Sequence, residues 1–419
     1  MKHFRSLLSS TLLCFAVALI ATTLLVPQVR GEPDKSQPAD KAPAAVTPPD
    51  ESAATKQKIY IINLRGEFGR DVARIPFRDI MKDVKKAKPE IIVLRFDNQF
   101  SFQGEARQEF QTADADAAFK LMDTCAQIGV MLTDEIRDDP DWKVNTPSGK
   151  PRLVAWVNKA MGGVAFLPFI CPEIYYTTPA MHGGIGYLEY TRSFADRVVR
   201  EKWYGAMLGR VKGIANKGGH DERIVLAMAR ADYVLSVSYV GGKPVFREDL
   251  GGEDILTNDG SLEENADSME DIVRFRGKNV LTLRSDVALR IGMSSGTVDS
   301  LDDLIFNLGV SRNYEVVKGR SDKILQEWSK DVDEAEHEFY KLWNKYREVQ
   351  VNGETVAIRN QQRGQQINLL TQVAKMLERY AESINPRAIR GAPAQWETRI
   401  AIMIEEIKRD MRTDRDRRR

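Results

Sequence analysis

Cysteine is nearly missing from this sequence. Its 419 residues hold three, and Cys14 lies inside an apolar N-terminal run, which leaves Cys125 and Cys171 for the remainder. Two cysteines make no disulfide framework. Both stand in apolar contexts, "KLMDTCAQIGVML" and "FLPFICPEI", and are expected as buried small hydrophobes rather than nucleophiles. Histidine is as sparse: His3, His182, His220 and His337 show no ligand spacing, so neither a metal nor a cofactor is expected. An excess of charge is lacking too. Lysine and arginine number 61 against 60 acidic residues, a balance that argues against nucleic acid as a partner. The one locally basic stretch, "KRDMRTDRDRRR", reads as a solvated tail.

Two N-terminal features are present. "MKHFR" is a short cationic segment followed by the apolar run Leu7 to Val26, and Val29 and Gly31 stand where a signal peptidase would read small residues before a cut. Residues 1–31 are therefore expected to be an export signal, or an anchor if uncleaved, since about 20 apolar residues span a bilayer. Residues 32–56 are rich in Pro, Ala and charge and hold no aromatic, the composition of a disordered linker.

From residue 57 the pattern alternates. "KIYIINLRGEFG" reads as a buried strand ending in a turn. "IPFRDIMKDVKKAKPE" has the helical period at Phe77, Ile80, Met81 and Val84, and "IIVLRFD" is a second strand. Strand, helix and strand with short joints predict a parallel sheet. A helix over "ADAAFKLMDTCAQIG" follows, then an irregular insertion at 132–150. "PRLVAWVN" and "EIYYTTP" are the third and fourth strands, and a long helix is expected from about Ser193 to Lys217. The class is α/β.

The last hundred residues change character. Leu325, Trp328, Val332, Ala335, Phe339, Leu342, Tyr346 and Val349 step by three and four, a heptad seam. Ile367, Leu370, Ala374, Leu377, Ala381 and Ile384 repeat the rhythm, with Pro386 expected to stop the helix. A third segment presents Trp396, Ile400, Met403, Ile407 and Met411. A helical hairpin folded on itself and an intermolecular coiled coil both fit. The expected domains are thus 57–316, α/β, and 317–419, helical with a basic tail.

From the end of the third strand through the fourth runs "NKAMGGVAFLPFICPEIYYTTPAMHGGIG", residues 158–186, without one serine. Together with "IYIINLRGEFG", "IIVLRFD" and the late "LTLRSDVALRIGMSSGTVDSLDDLIFNLGV", it resembles the exported Clp-class serine peptidases. These include the signal peptide peptidase A group and the membrane-linked peptidases of the NfeD type. The resemblance covers about residues 57 to 312. It implies the ClpP/crotonase-like fold of stacked ββα units, assembly into a homo-oligomer of three or more copies, and a peptide or membrane protein as partner.

The family places a nucleophilic serine in an Ala-Ser-Ala/Gly-Gly turn, a lysine base on a later helix, and backbone donors in an Asp-Ser-Pro-Gly-Gly turn. Here the first turn is Ala160, Met161, Gly162, Gly163, so Met161 or Gly162 stands at the nucleophile position, and neither can attack a carbonyl. The second is Asp97, Asn98, Gln99, Phe100, Ser101, without the permissive glycines. Lys202 falls near the base position as a vestigial base, with an ordinary surface lysine as the alternative. Gly162, Gly163, Asp97, Asn98 and His182 would outline what is left of the cleft, His182 in the loop after the fourth strand. Ser101, Ser148 and Ser193 have no partnered base in the sequence. Crotonase-type acyl-CoA chemistry is disfavoured by export and by the lack of paired glutamates at the expected turns. The expected function is a catalytically degenerate Clp-class peptidase homologue of the cell envelope, acting in binding or assembly. The alternatives are an active membrane-associated serine endopeptidase with a displaced nucleophile, and a structural coiled-coil envelope protein.

Overall fold

The structure is a computed structural model, and it describes residues 56–98, 114–140, 142–183, 196–230, 233–257, 281–386 and 388–416. The expected export signal and linker lie outside these residues, as do Ser101 and Ser193. No helix among the described residues is long and apolar enough to cross a membrane.

The chain enters through β1 (Gln57–Gly66), α1 (Arg74–Ala87) and β2 (Ile91–Asn98). Alternation in β1 sends Tyr60, Ile62 and Leu64 to one core and Ile59 to another, so both faces of the strand are covered. That is why its sequence is almost uninterrupted in apolar residues. In α1 the expected stripe of Phe77, Ile80, Met81 and Val84 is buried, and Lys88 closes the helix in the left-handed region at φ 48°, its N–H reaching Val84 O. α2 (Asp114–Leu132) leads to β3 (Arg152–Met161), a 3₁₀ helix (Gly162–Ile170) and β4 (Glu173–Gly183).

These strands form one parallel array. Ile59 faces Ile91, Ile91 faces Arg152, and Val154 faces Glu173. Further along come α3 (Arg197–Gly218), α4 (Glu222–Ala229), β5 (Leu235–Val240), β6 (Lys243–Arg247) and β7 (Asp254–Thr257), then β8 (Thr282–Leu283), α5 (Ser285–Arg290), β9 (Gly296–Thr297), α6 (Leu301–Asn307) and β10 (Tyr314–Val316). The sheet order is β10-β1-β2-β3-β4-β8, with β9 also on β4 and β8 alone antiparallel. Residues of α1, α2, α3 and the 3₁₀ helix fill the core on one face, and Leu304 and Ile305 of α6 that on the other. The α/β class expected from the sequence is the one observed.

The sequence reading missed a second sheet, in the order β6-β5-β7. Its signal was present in "YVGGKPVF": Gly241 and Gly242 carry φ of 59° and 76°, the conformation a two-residue hairpin turn requires.

α3 carries Gly205, Gly209 and Gly213 four residues apart, all exposed, and a Cβ added at any of them would meet nothing within 4 Å. Glycine inside a helix costs about 1 kcal/mol relative to alanine. Gly205→Ala is therefore expected to raise stability by roughly 0.5–1 kcal/mol, read as a higher urea midpoint. A lowered midpoint would mean that the bare backbone there is in use.

The C-terminal segments form α7 (Ser321–Glu348), α8 (Val356–Tyr380) and α9 (Pro393–Asp416). They pack on one another within the chain: Phe339 and Leu342 of α7 meet Leu370, Val373 and Leu377 of α8 and Trp396 and Ile400 of α9. The seam read on α7 serves more than one partner, however. Leu325 belongs to the main α/β core, and Trp328 and Val332 pack on Ala73. The joint is also polar. Trp328 Nε1 donates to Arg70 O at 2.9 Å, Ser329 Oγ donates to Asp71 at 2.7 Å, and the Arg70 guanidinium binds Asp333 and Glu336. α8 stops at Tyr380, earlier than the expected stop at Pro386, because Tyr380 O takes the N–H groups of Ser383 and Ile384 in a turn.

Candidate functional site

The turn at residues 160–163 joins β3 to the 3₁₀ helix, and all of it is inside. Met161 ends β3 in an extended conformation, Gly162 turns the chain at φ 70°, and every residue from Gly162 to Ile170 is buried. The helix is 3₁₀ rather than α. Its Pro168 supplies no N–H, and Cys171 closes it with an N–H to Pro168 O at 3.0 Å.

Asn98, the last residue of β2, is 3% exposed and clasps Met161 from the neighbouring strand. Its Oδ1 accepts from Met161 N at 3.0 Å, and its Nδ2 donates to Met161 O at 3.3 Å. A side-chain amide thus replaces the ladder contact at the bulge where β2 and β3 slip register. The clasp takes up both backbone polar groups of Met161.

His182 departs from expectation in place. It lies within β4, opposite Ala160, not in a loop after the strand, and it is fully buried. Its Nε2 contacts Ala165 O at 2.6 Å and its Nδ1 contacts Tyr176 Oη at 2.7 Å. Since a carbonyl can only accept, Nε2 carries the proton and the tyrosine donates to Nδ1. Burial pulls the imidazole down to about 4, only partly opposed by its bond to Ala165 O. His220 does a matching service: its Nε2 contacts Cys171 O at 2.7 Å, and burial lowers it as well. The two imidazoles occupy a carbonyl of the 3₁₀ helix and one of the residue that closes it, both in the core away from water. Backbone approaches closely on both sides. A Cβ at Gly183 would sit 2.2 Å from Leu281 O, and one at Gly218 would sit 1.9 Å from Phe169 O.

Asp97 is engaged at the strand ends. It accepts from Asn158 Nδ2 at 2.8 Å, and Asn158 Oδ1 in turn accepts from Thr177 Oγ1 at 2.9 Å. Its pairing with Arg65 at 4.0 Å is exposed and worth little. Lys202 is exposed on α3, so it lacks the burial a lysine base requires. Ser148 is exposed, with its Oγ turned to Lys150 O at 3.3 Å in its own loop. Cys125 and Cys171 are free and buried, and burial raises both thiols, the opposite of activation. Among the described residues no group of three or more His, Cys, Asp or Glu side chains could hold a metal.

The structure therefore brings Asn98, Met161, Gly162, Gly163 and His182 into one buried cluster, leaves Asp97 at its edge, and sets Lys202 on the surface. Sequence reasoning missed the roles of Tyr176 and His220: Tyr176 sits in the apolar strand "EIYYTTP", and His220, in the polar "NKGGHDER", gives no sign of its partner.

No family model matches the chain, and no curated protein matches it. Solved structures do. A variant of the membrane-bound stomatin-specific protease 1510-N, in complex with a substrate peptide, matches at TM-score 0.33 and 11% identity over 60% of this chain and 80% of its own. A second variant of that protease matches at 0.32 and 10% identity, covering 60% and 85%. The 1510-N membrane protease specific for a stomatin homolog from Pyrococcus horikoshii matches at 0.31 and 10% identity, covering 60% and 79%. At these values the likeness goes no further than fold, and no residue of those proteins is carried over to this chain.

Proposed function

We propose that this chain is a peptidase-related protein of ClpP-like type that has lost its chemistry and serves the cell envelope in binding or assembly. The observation that supports the reading is the Met161 turn. No nucleophile stands at positions 160–163, and Asn98 takes up both backbone groups of Met161. Met161 itself is 1% exposed, so even a hydroxyl placed there would be shut away from substrate. The exposed Lys202 offers no general base to replace the missing partner.

Labelling of the mature chain with a fluorophosphonate probe tests this reading, since such probes react only with activated serines. No covalent adduct is expected by intact mass, either for the native sequence or for Met161→Ser. An adduct on the native chain would establish instead an active peptidase with its nucleophile elsewhere in the sequence.

A further inference from the structure

A groove of about 640 Å³ runs between α1, α2 and α3, away from the Met161 clasp. Its size is that of a ligand site. The floor is apolar: Met131 of α2 and Ile170 at the end of the 3₁₀ helix are buried, while Val130 is left 52% exposed beside them. The α3 wall is open at two points, where Gly209 and Gly213 present bare backbone between Arg210, Ile214 and Lys217. These glycines weaken their own helix and are not needed by any packing within the chain. At those two positions the missing Cβ lets another main chain come close.

The charges on the rim are unbalanced. Asp123 already accepts from Arg210 and Gln127, and Glu135 pairs with Lys85 at 3.2 Å. On α1, Arg74 binds Glu382 through Nη2 at 2.8 Å, but its Nε is buried with no partner. Arg78, one turn further on, lines the same groove and has no acceptor among the described residues. Arg78 thus holds an exposed guanidinium without an acceptor over the apolar floor, beside an Arg74 already bound to Glu382, and guanidinium favours forked bonds to carboxylate.

We infer that this groove binds an extended acidic peptide. Its aliphatic side chains lie on Val130 and Met131, its backbone runs along the glycine wall, and its carboxylates meet Arg74 and Arg78. The inference takes from the proposed function only that the chain is a binding protein. Labelling of a serine and loss of groove binding would be separate results.

Anisotropy titration of the full chain with a fluorescent Leu-Glu-Val-Glu-Leu peptide tests it. Saturable binding is expected, at least about tenfold weaker for the Leu-Gln-Val-Gln-Leu counterpart. Arg78→Glu and Gly213→Leu should each weaken the acidic peptide by about tenfold or more. Both positions are exposed, and leucine is a better helix former than glycine, so circular dichroism should show the fold kept. The inference is overturned by three outcomes: no saturable binding up to about 1 mM, equal binding of the two peptides, or equal binding by either variant. Saturable uptake of decanoate with the acidic peptide left unbound would also overturn it, assigning the groove to a lipid instead.

Discussion

Acidification from pH 7 to pH 4 is expected to remove about 3 kcal/mol of folding free energy through His182 alone. The folded chain holds this imidazole near 4, whereas an unfolded one titrates near 6.5. Between those values the unfolded state takes up a proton that the native state refuses. The contribution is complete above about pH 6.5, falls as pH drops toward 4, and levels off below, where both states are charged. Its origin is geometric. The site offers a carbonyl for the proton on Nε2 and a hydroxyl for the lone pair of Nδ1. A second proton on Nδ1 would force Tyr176 Oη from donor to acceptor, leaving its own hydrogen to find another partner, and put a charge in the core. His220, also lowered by burial, adds a slope of the same sign.

Urea unfolding at several pH values, for the native sequence and His182→Gln, separates this group from the carboxylates that titrate below it. The variant should be less stable at pH 7 and lose less on acidification. Parallel curves for the two proteins would mean that His182 does not carry the acid sensitivity.

Trp328→Ala is expected to cost about 3–5 kcal/mol, the range for a large aromatic removed from a packed site. Trp328 is 6% exposed and packs with Ala73, Val332 and Tyr380, where α7 crosses the start of α1. Its indole N–H also takes Arg70 O, so truncation leaves a loop carbonyl unpaired as well as a void. The loss should appear as a lower urea midpoint. Asp333→Ala, at a carboxylate 61% exposed on the same helix, should cost under about 1 kcal/mol. If the two substitutions cost the same, the joint between the helices and the sheet is electrostatic and not packed.

How much of this was legible in the residues differs from element to element. β1, α1, β2, β3 and β4 were readable because each is a pure case. The strands are apolar on both faces, and the stripe Phe77, Ile80, Met81, Val84 has one period and one partner. The seam of α7 was readable as a helix, but its partners were not. A heptad rhythm states that a face is buried, and Trp328 shows that the covering surface can belong to a distant loop. β5 to β7 were lost despite the Gly241-Gly242 turn, because their strands are short and lie beside masking polar residues. At the site, the lack of a nucleophile was visible directly. The clasp by Asn98 was not, since it depends on a register slip between β2 and β3. Nor was the place of His182, because a buried histidine and a loop histidine look alike until both ring nitrogens have partners.

The pairing of β1 with β10 has a consequence for how the chain is made. Ile59, made early in synthesis, faces Val316, and Val317 N reaches back to Ile59 O at 2.8 Å. At about 5–20 residues per second, many seconds of synthesis separate the two. Through that interval β1 has β2 on one side and an open row of backbone groups on the other, an apolar edge able to pair with a second nascent chain. That edge is covered only when residues 314–321 arrive, β10 pairing with Gln57–Ile59 and Ser321 Oγ donating to Ile61 O at 3.3 Å, so truncation before residue 314 should yield aggregates rather than a smaller soluble domain.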